Sequence, residues 1–337
     1  VQQAPFFQHP IGCGPFMVEE VNMKNYTILA PFDKYYNGVA DFKIQLLPSA
    51  GDSDPNVVTR AKSGNLDYGY TKMVADVQAL EGTPGITVTP IDVRYTRLFY
   101  LNKFDKKDGS PAPLADVRVR QALRYAIDME TICETLFQGS AVPANALAPD
   151  ANLKGGDLND YNYNPEKAKE LLAEAGYPDG FSTTLWCSDT QVMRDSAVVI
   201  QEQLRQVGIN AEVKTLESGQ FQSETGNGAH DMFIMSKTSI DPDSMLRSMY
   251  HTEALGPSGN RCFWTTPEVD ALIDEASTTT DTEHAMELYA EIQSKVAEAA
   301  PLVPMAVEHL NAGMQSNVKG FGLYPGKSHY INGTYFE

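Results

Sequence analysis

The sequence predicts an α/β protein with at least two lobes. Two observations carry the expectation: a strand, a helix and a strand in succession across 181–213, and a first hundred residues richer in strand text than in helix. Along the chain, 26–30, 42–47, 86–93 and 98–102 read as strands, while 56–61 and 71–80 read as helices. Residues 103–113, charged and punctuated by Gly and Pro, suit a crossover between lobes. A basic amphipathic helix over 115–128 follows, with Val117, Val119, Ala122, Leu123 and Ala126 on its apolar face.

The next stretch is the clearest. Asn164 is a good N-cap, Pro165 suits the first helical position, and Gly176 with Pro178 stops the helix. Residues 181–186 are β-rich, and Val192, Val199, Ile200, Leu204 and Val207 then mark one face of a helix ending at Gly208. Ile209, Ala211 and Val213 alternate with Asn210, Glu212 and Lys214, as in a half-buried strand. Such a βαβ unit predicts a parallel pair with a right-handed crossover. Residues 231–235 read as a strand buried on both faces. Thr266-Pro267-Glu268 opens a helix through Val269, Leu272 and Ile273, a second begins near Thr282, and Pro301 with Pro304 ends it before strand-like text over 302–307. No internal repeat is found.

Composition narrows the function classes. The chain has 337 residues, long for one domain, and 42% of them are hydrophobic, enough for a real core. Its net charge of -18 argues against nucleic acid and against anionic lipid, both of which require a cationic surface. No apolar run approaches the about 20 residues of a membrane helix. Cys13, Cys133, Cys187 and Cys262 are far apart with no C-x-x-C pair, and disulfides and buried free thiols both fit them. There is no G-x-S-x-G elbow, no H-E-x-x-H helix and no Walker A loop, and the six histidines are scattered. Gly12-Cys13-Gly14 reads as a tight turn; Cys13 could act as a nucleophile there, but no base can be assigned to it.

Several strings resemble those of the extracytoplasmic solute-binding proteins of peptide, dipeptide and nickel ABC transporters, the bacterial solute-binding protein family 5. Ile11-Gly12-Cys13-Gly14-Pro15-Phe16 is similar to the family's G-T-G-P-[FY] turn, with cysteine for threonine. Tyr35-Tyr36-Asn37-Gly38 and Lys62-Ser63-Gly64-Asn65-Leu66-Asp67 follow in family order. Most specific is Asp116-Val117-Arg118-Val119-Arg120-Gln121-Ala122-Leu123, continuing through Tyr125-Ala126-Ile127-Asp128. Tyr163-Asn164-Pro165-Glu166-Lys167-Ala168, Gly176-Tyr177, Asp241-Pro242-Asp243, Pro267-Glu268-Val269-Asp270 and Lys319-Gly320-Phe321 complete the series.

The resemblance implies the two-lobe periplasmic-binding-protein fold (type II, cluster C), with lobe I discontinuous and a ligand closed between lobes. On that basis lobe I is expected at 1–104, lobe II at 105–302, and the return to lobe I at 303–337. The family's turn normally comes well inside lobe I, so the first part of that lobe is expected to be missing. The implied role is capture of a peptide or small-molecule ligand for an ABC transporter permease, outside the cytoplasm, by a monomer. No cofactor and no metal are implied, and membrane contact would come only through a lipid anchor outside this chain. A hydrolase acting on a small solute, and a sensory or surface protein reusing the scaffold, remain open alternatives.

Ligands of open α/β sheets lie beyond the carboxyl ends of strands. Here those ends are Trp186-Cys187-Ser188-Asp189 and Met235-Ser236-Lys237-Thr238-Ser239, with Trp186, Ser236, Lys237 and Thr238 as candidate contacts. In peptide-binding relatives an aspartate near the second strand holds the peptide amine. Counting back from Asp241-Pro242-Asp243, that position is Thr238, beside Lys237, which supplies no negative charge for an ammonium. A blocked peptide, an anionic solute or another small molecule would suit such a site. An alternative register gives the role to Asp241 or Asp243, although Asp241 also suits an N-cap for the helix through Met245 and Met249. Asn260 and Arg261 fall where relatives carry ligand-facing polar groups, and Trp186 and Trp264 offer apolar lining or core packing.

Overall fold

The computed structural model describes residues 10, 12–22, 24–47, 56–71, 73–101, 112–137, 140–144, 162–238, 241–324, 328–331 and 333–337. Most of the expected 103–113 crossover lies outside them. The strands are β1 (Phe16–Asn22), β2 (Tyr26–Pro31), β3 (Ile44–Leu46), β4 (Tyr68–Thr71), β5 (Ile86–Leu101), β6 (Ala141–Pro143), β7 (Phe181–Ser188), β8 (Ile209–Leu216), β9 (Met232–Thr238), β10 (Leu302–Gln315), β11 (Val318–Lys319), β12 (Gly322–Tyr324), β13 (Ser328–Tyr330) and β14 (Tyr335–Phe336). The chain divides into two compact units, Val1–Val93 with His309–Glu337, and Arg94–Glu308.

In the first unit β1, β2 and β3 form an antiparallel sheet whose side chains are all half-buried or exposed. β4 pairs with the end of β10, placing Gly69 opposite Gly313. Both glycines sit in close packing. A Cβ on Gly313 would stand 2.9 Å from Leu80 Cδ1, and one on Gly69 would stand 2.8 Å from Leu66 Cδ2. The helices Val57–Lys62 and Val74–Glu81 supply the buried Val57, Ala61 and Leu80.

In the second unit the strand order is β10-β5-β9-β7-β8, with β6 also pairing with β10. β5 runs antiparallel to β9, whereas β9, β7 and β8 are parallel, so the last three end at one edge. Period-two alternation divides the side chains. Phe99, Leu101, Leu185, Cys187, Met232 and Ile234 face one core, packed under helices Val117–Ala126, Met129–Leu136, Pro165–Glu174 and Gln191–Gln206. Tyr100, Trp186 and Phe233 face the other, under helices Ser218–Gly226, Pro242–Tyr250, Pro267–Thr278 and Thr282–Ala299. A sheet between two helical layers is the α/β architecture expected.

The caps read from sequence are made. Asn164 Oδ1 accepts from Lys167 N at 3.0 Å, Thr266 Oγ1 from Val269 N at 3.1 Å, and Asp241 Oδ1 from Ser244 N at 2.8 Å. Four expectations change. The strands expected at 86–93 and 98–102 are one strand, β5, because extended backbone continues through the polar 94–97. The helix expected over 71–80 starts at Val74, after β4. The helix expected over 115–128 spans Val117–Ala126, between caps at Asp116 and Ile127, and Asp128 caps a second helix. β10 continues well past 307, to Gln315.

Candidate functional site

The site follows from three neighbouring strands. Tyr100 on β5, Phe233 on β9 and Trp186 on β7 are cross-strand partners on one face. Tyr100 and Phe233 stack with centroids 4.5 Å apart, and Phe221 meets Phe233 edge-on at 5.7 Å. On β8 the partner of Trp186 is Lys214, an exposed residue whose Nζ lies 4.3 Å from the centre of an indole ring. The Trp186 indole donates to Thr184 Oγ1 at 3.1 Å, and Thr184 Oγ1 donates to Asp231 Oδ2 at 3.0 Å. Trp186 is therefore a packed member of the aromatic row whose outer neighbour is a cation.

His230 precedes β9 and sets its ring edge-on against Phe233, 4.6 Å between centroids. Its Nε2 lies 3.0 Å from the Arg261 carbonyl oxygen, so Nε2 carries the proton and donates. Burial holds the ring's pKa down at about 4, leaving it neutral. This bond ties the loop carrying Arg261 to the strand. The loop is closed further by Asn260, whose N donates to Ala254 O at 2.7 Å and whose Nδ2 donates to Trp264 O at 2.9 Å. Gly259 has φ +146 because its α-carbon passes against the Ser248 carbonyl, where a Cβ would fall 2.3 Å from the oxygen.

Arg261 is 8% exposed, and its Nη1 donates to Thr225 Oγ1 at 2.7 Å. Thr225 Oγ1 passes its own proton to Phe221 O at 2.7 Å. Nη1 also lies 3.9 Å from Met235 Sδ. Met235 and Lys237 are two apart on β9 and share a face, which brings the Lys237 side chain alongside Arg261. Burial lowers the Lys237 pKa, and the Arg261 charge lowers it further. Burial likewise lowers that of Arg261.

The structure thus gathers Trp186, Lys237 and Arg261 on one face. Ser236 points to the opposite face by alternation, with its Oγ buried and without a hydrogen-bond partner among the described residues. Thr238 closes β9 opposite Tyr95, and its side chain lies outside the described residues. Asn260 is fully buried within its loop. Trp264 stands apart: it meets Tyr250 edge-on at 6.2 Å and lines a cleft of about 350 Å³ with Lys295, Glu298 and Ala299. That helix end leads into β10 at the edge where β9 begins, since Leu101 pairs with Met232 and donates to Pro301 O at 3.1 Å. Asp241 caps its helix, and Asp243 Oδ1 accepts from Ser277 Oγ.

The sequence reading missed His230, Thr225 and Lys214 as parts of the site. Of these only Lys214 carried a signal, its place opposite Trp186 in two aligned parallel strands. No disulfide joins the four cysteines; Cys13 is exposed and the others are buried, with burial pushing the Cys187 and Cys262 thiols up. Among the described residues no group of three His, Cys, Asp or Glu could hold a metal ion, and no helix is long and apolar enough to cross a membrane.

Fold and edge together define a layered α/β protein whose charged and aromatic residues collect where parallel strands end. The chain belongs to the bacterial extracellular solute-binding proteins, family 5, matching the family's middle portion over residues 1–256. That membership places it outside the cytoplasm. It is 28% identical to the glutathione-binding protein GsiB of Salmonella typhimurium over 329 residues, 94% of this chain and 62% of the relative. It is 29% identical to the dipeptide-binding protein of Escherichia coli over 333 residues, 96% of this chain and 61% of the relative. The chain therefore spans less than two thirds of the length of these relatives. Among solved structures it superimposes on DppA of Helicobacter pylori in complex with the peptide STSA, with a TM-score of 0.83, 26% identity, and 97% of this chain and 64% of that one covered. A peptide-binding protein AppA of Clostridium difficile, at 21% identity and a TM-score of 0.82 over 100% of this chain and 70% of that one, shares the fold.

Proposed function

We propose that this chain is part of the substrate-binding component of an ABC importer, which captures a peptide or related small solute and delivers it to a membrane permease. The observation that carries the reading is family membership across 1–256, joined to one sheet face that carries Trp186, Lys237 and Arg261. The relatives' names point the same way, to glutathione, dipeptides and a bound tetrapeptide. The first unit is read as lobe I and the second as lobe II, with the strand-end residues as ligand contacts. We take the protein to be a binder rather than an enzyme, since its buried thiols are kept protonated and its buried His230 is held in a packed aromatic setting.

The test is calorimetric titration of the full-length protein with glutathione, Met-Leu and Ser-Thr-Ser-Ala, followed by mass spectrometry of the mixture. Saturable binding with the solute recovered intact is expected. A hydrolysed product would replace this reading with the enzyme alternative, and an absence of binding would favour a surface protein that has kept only the scaffold.

A further inference from the structure

Three arginines in the second unit are almost wholly buried, and their partners differ. Arg120 donates to the carbonyls of Leu114, Ala115 and Ala299, at 2.7, 2.9 and 2.9 Å. Arg124 donates to the carbonyls of Ala297 and Leu302, at 2.7 and 3.2 Å. These two tie helix Val117–Ala126 to the last helix and to the start of β10. Arg261 makes one hydroxyl bond, to Thr225, and a thioether contact, to Met235, leaving most of its five donors unused. None of its nitrogens is sealed away without a partner, so the unused ones reach solvent.

A second cation, Lys237, lies half-buried alongside. Among the described residues no carboxylate pairs with either. Asp231, just before β9, accepts from Thr183 Oγ1, Thr184 N and Thr184 Oγ1, at 3.1, 3.0 and 3.0 Å. The third cation of the edge, Lys214, is spent on the Trp186 ring. Two desolvated like charges without a counter-ion are unfavourable in an empty protein. An anion arriving between them removes that penalty, and a guanidinium with free donors in a planar fork suits a carboxylate.

We propose that Arg261 and Lys237 together bind a carboxylate of the captured solute, so that the ligand class is a peptide or peptide-like acid with a free carboxylate rather than one whose carboxylates are blocked or absent. This rests on the solute-capture reading and adds the charge of the solute and the residues that select it. Thr238, where an amine-binding aspartate is expected by resemblance, fits the same selection, since no acid is offered there.

The experiment titrates the full-length protein and its Lys237→Met and Arg261→Gln variants with Ala-Glu, Ala-Gln and Ala-Gln amide, which differ stepwise in carboxylates. The parent should bind Ala-Glu or Ala-Gln on the order of tenfold to a hundredfold more tightly than the amide, the usual range for a charge-assisted contact. That gap should close in Lys237→Met. The unliganded Lys237→Met protein should melt no lower than the parent, an outcome a purely structural lysine would not give. Arg261→Gln should also close the gap, and Lys237→Met keeps the test decisive if loss of the Thr225 bond unfolds it. An amide bound as tightly as the acids, or a gap that persists in Lys237→Met, overturns the inference and leaves solute capture standing. Binding of none of the three peptides overturns peptide capture, and this inference with it.

Discussion

The two faces of the sheet in the second unit are built from the same strands, residue by residue in alternation, yet they do different work. One face is largely aliphatic: Leu101, Leu185, Met232 and Ile234, with Phe99 among them, under helices that contribute Ala122, Leu123, Ile200 and Leu204, all fully buried. Buried polar groups on it bond internally, Ser196 Oγ donating to Val192 O at 2.7 Å and Gln203 Oε1 accepting from Asp128 N at 3.0 Å, although Ser236 Oγ has no partner among the described residues. The other face is aromatic and sulfur-rich, with Tyr100, Trp186, Phe221, Phe233, Met245 and Met249. It also carries His230, Lys237 and Arg261, and Tyr250 Oη and Asn260 Oδ1 have no partner among the described residues. The first face is mostly closed on itself and stabilises the unit. The second keeps guanidinium donors of Arg261 that reach solvent, and so has something left for a solute.

The largest expected effect breaks the first face alone. Leu204→Ala leaves a cavity in a fully buried helix–sheet seam and should cost about 3 to 4 kcal/mol in urea denaturation, with solute affinity unchanged in whatever protein remains folded. If affinity fell in proportion, the two faces would not be separable.

The next effect belongs to the second face and depends on pH. The pKa of His230 is about 4 in the folded protein, below the ordinary 6.5, so the unfolded chain takes up a proton in this window that the folded one refuses. Stability should fall as pH drops from 6.5 towards 4, by about 3 kcal/mol from this group, and level off below. Urea midpoints measured at several pH values for the parent and His230→Phe would show it: the variant should lack this part of the slope. Equal slopes would mean that His230 is not held neutral by burial.

Smaller effects sharpen the picture. Asn260→Ala removes the bond to Trp264 O but also the unpartnered Oδ1, so a net loss of only about 1 kcal/mol in thermal or urea melts is expected. Lys214→Ala removes an exposed cation from the Trp186 indole face and should cost about 0.5 kcal/mol or less. A larger loss at Lys214 would mark it as a structural part of the edge.

Much of the architecture could be read from the sequence because local signals agreed with tertiary packing. Asn164-Pro165, the alternation from Ile209 and the buried run at Met232 each named an element that the sheet then used. β5 was harder, because 94–97 is polar where a strand passes from one unit to the other, and β4 was hidden beside a helix start. The site was legible only where it follows strand ends, at Trp186 and Lys237. Ser236 and Lys237, adjacent in sequence, had to separate, since neighbours on a strand face opposite ways. Arg261 was named, but what gives it meaning, the bond from His230 and the contact with Met235, joins residues 31 and 26 apart that no local pattern connects.

The most direct test of the two-face account is hydrogen exchange of the full-length protein with and without a saturating peptide ligand. Slowed exchange should appear in 218–238 and 252–264, which carry Thr225, His230, Lys237 and Arg261, while 117–137 and 191–206 stay unchanged. Protection confined to those aliphatic-face helices would contradict the account.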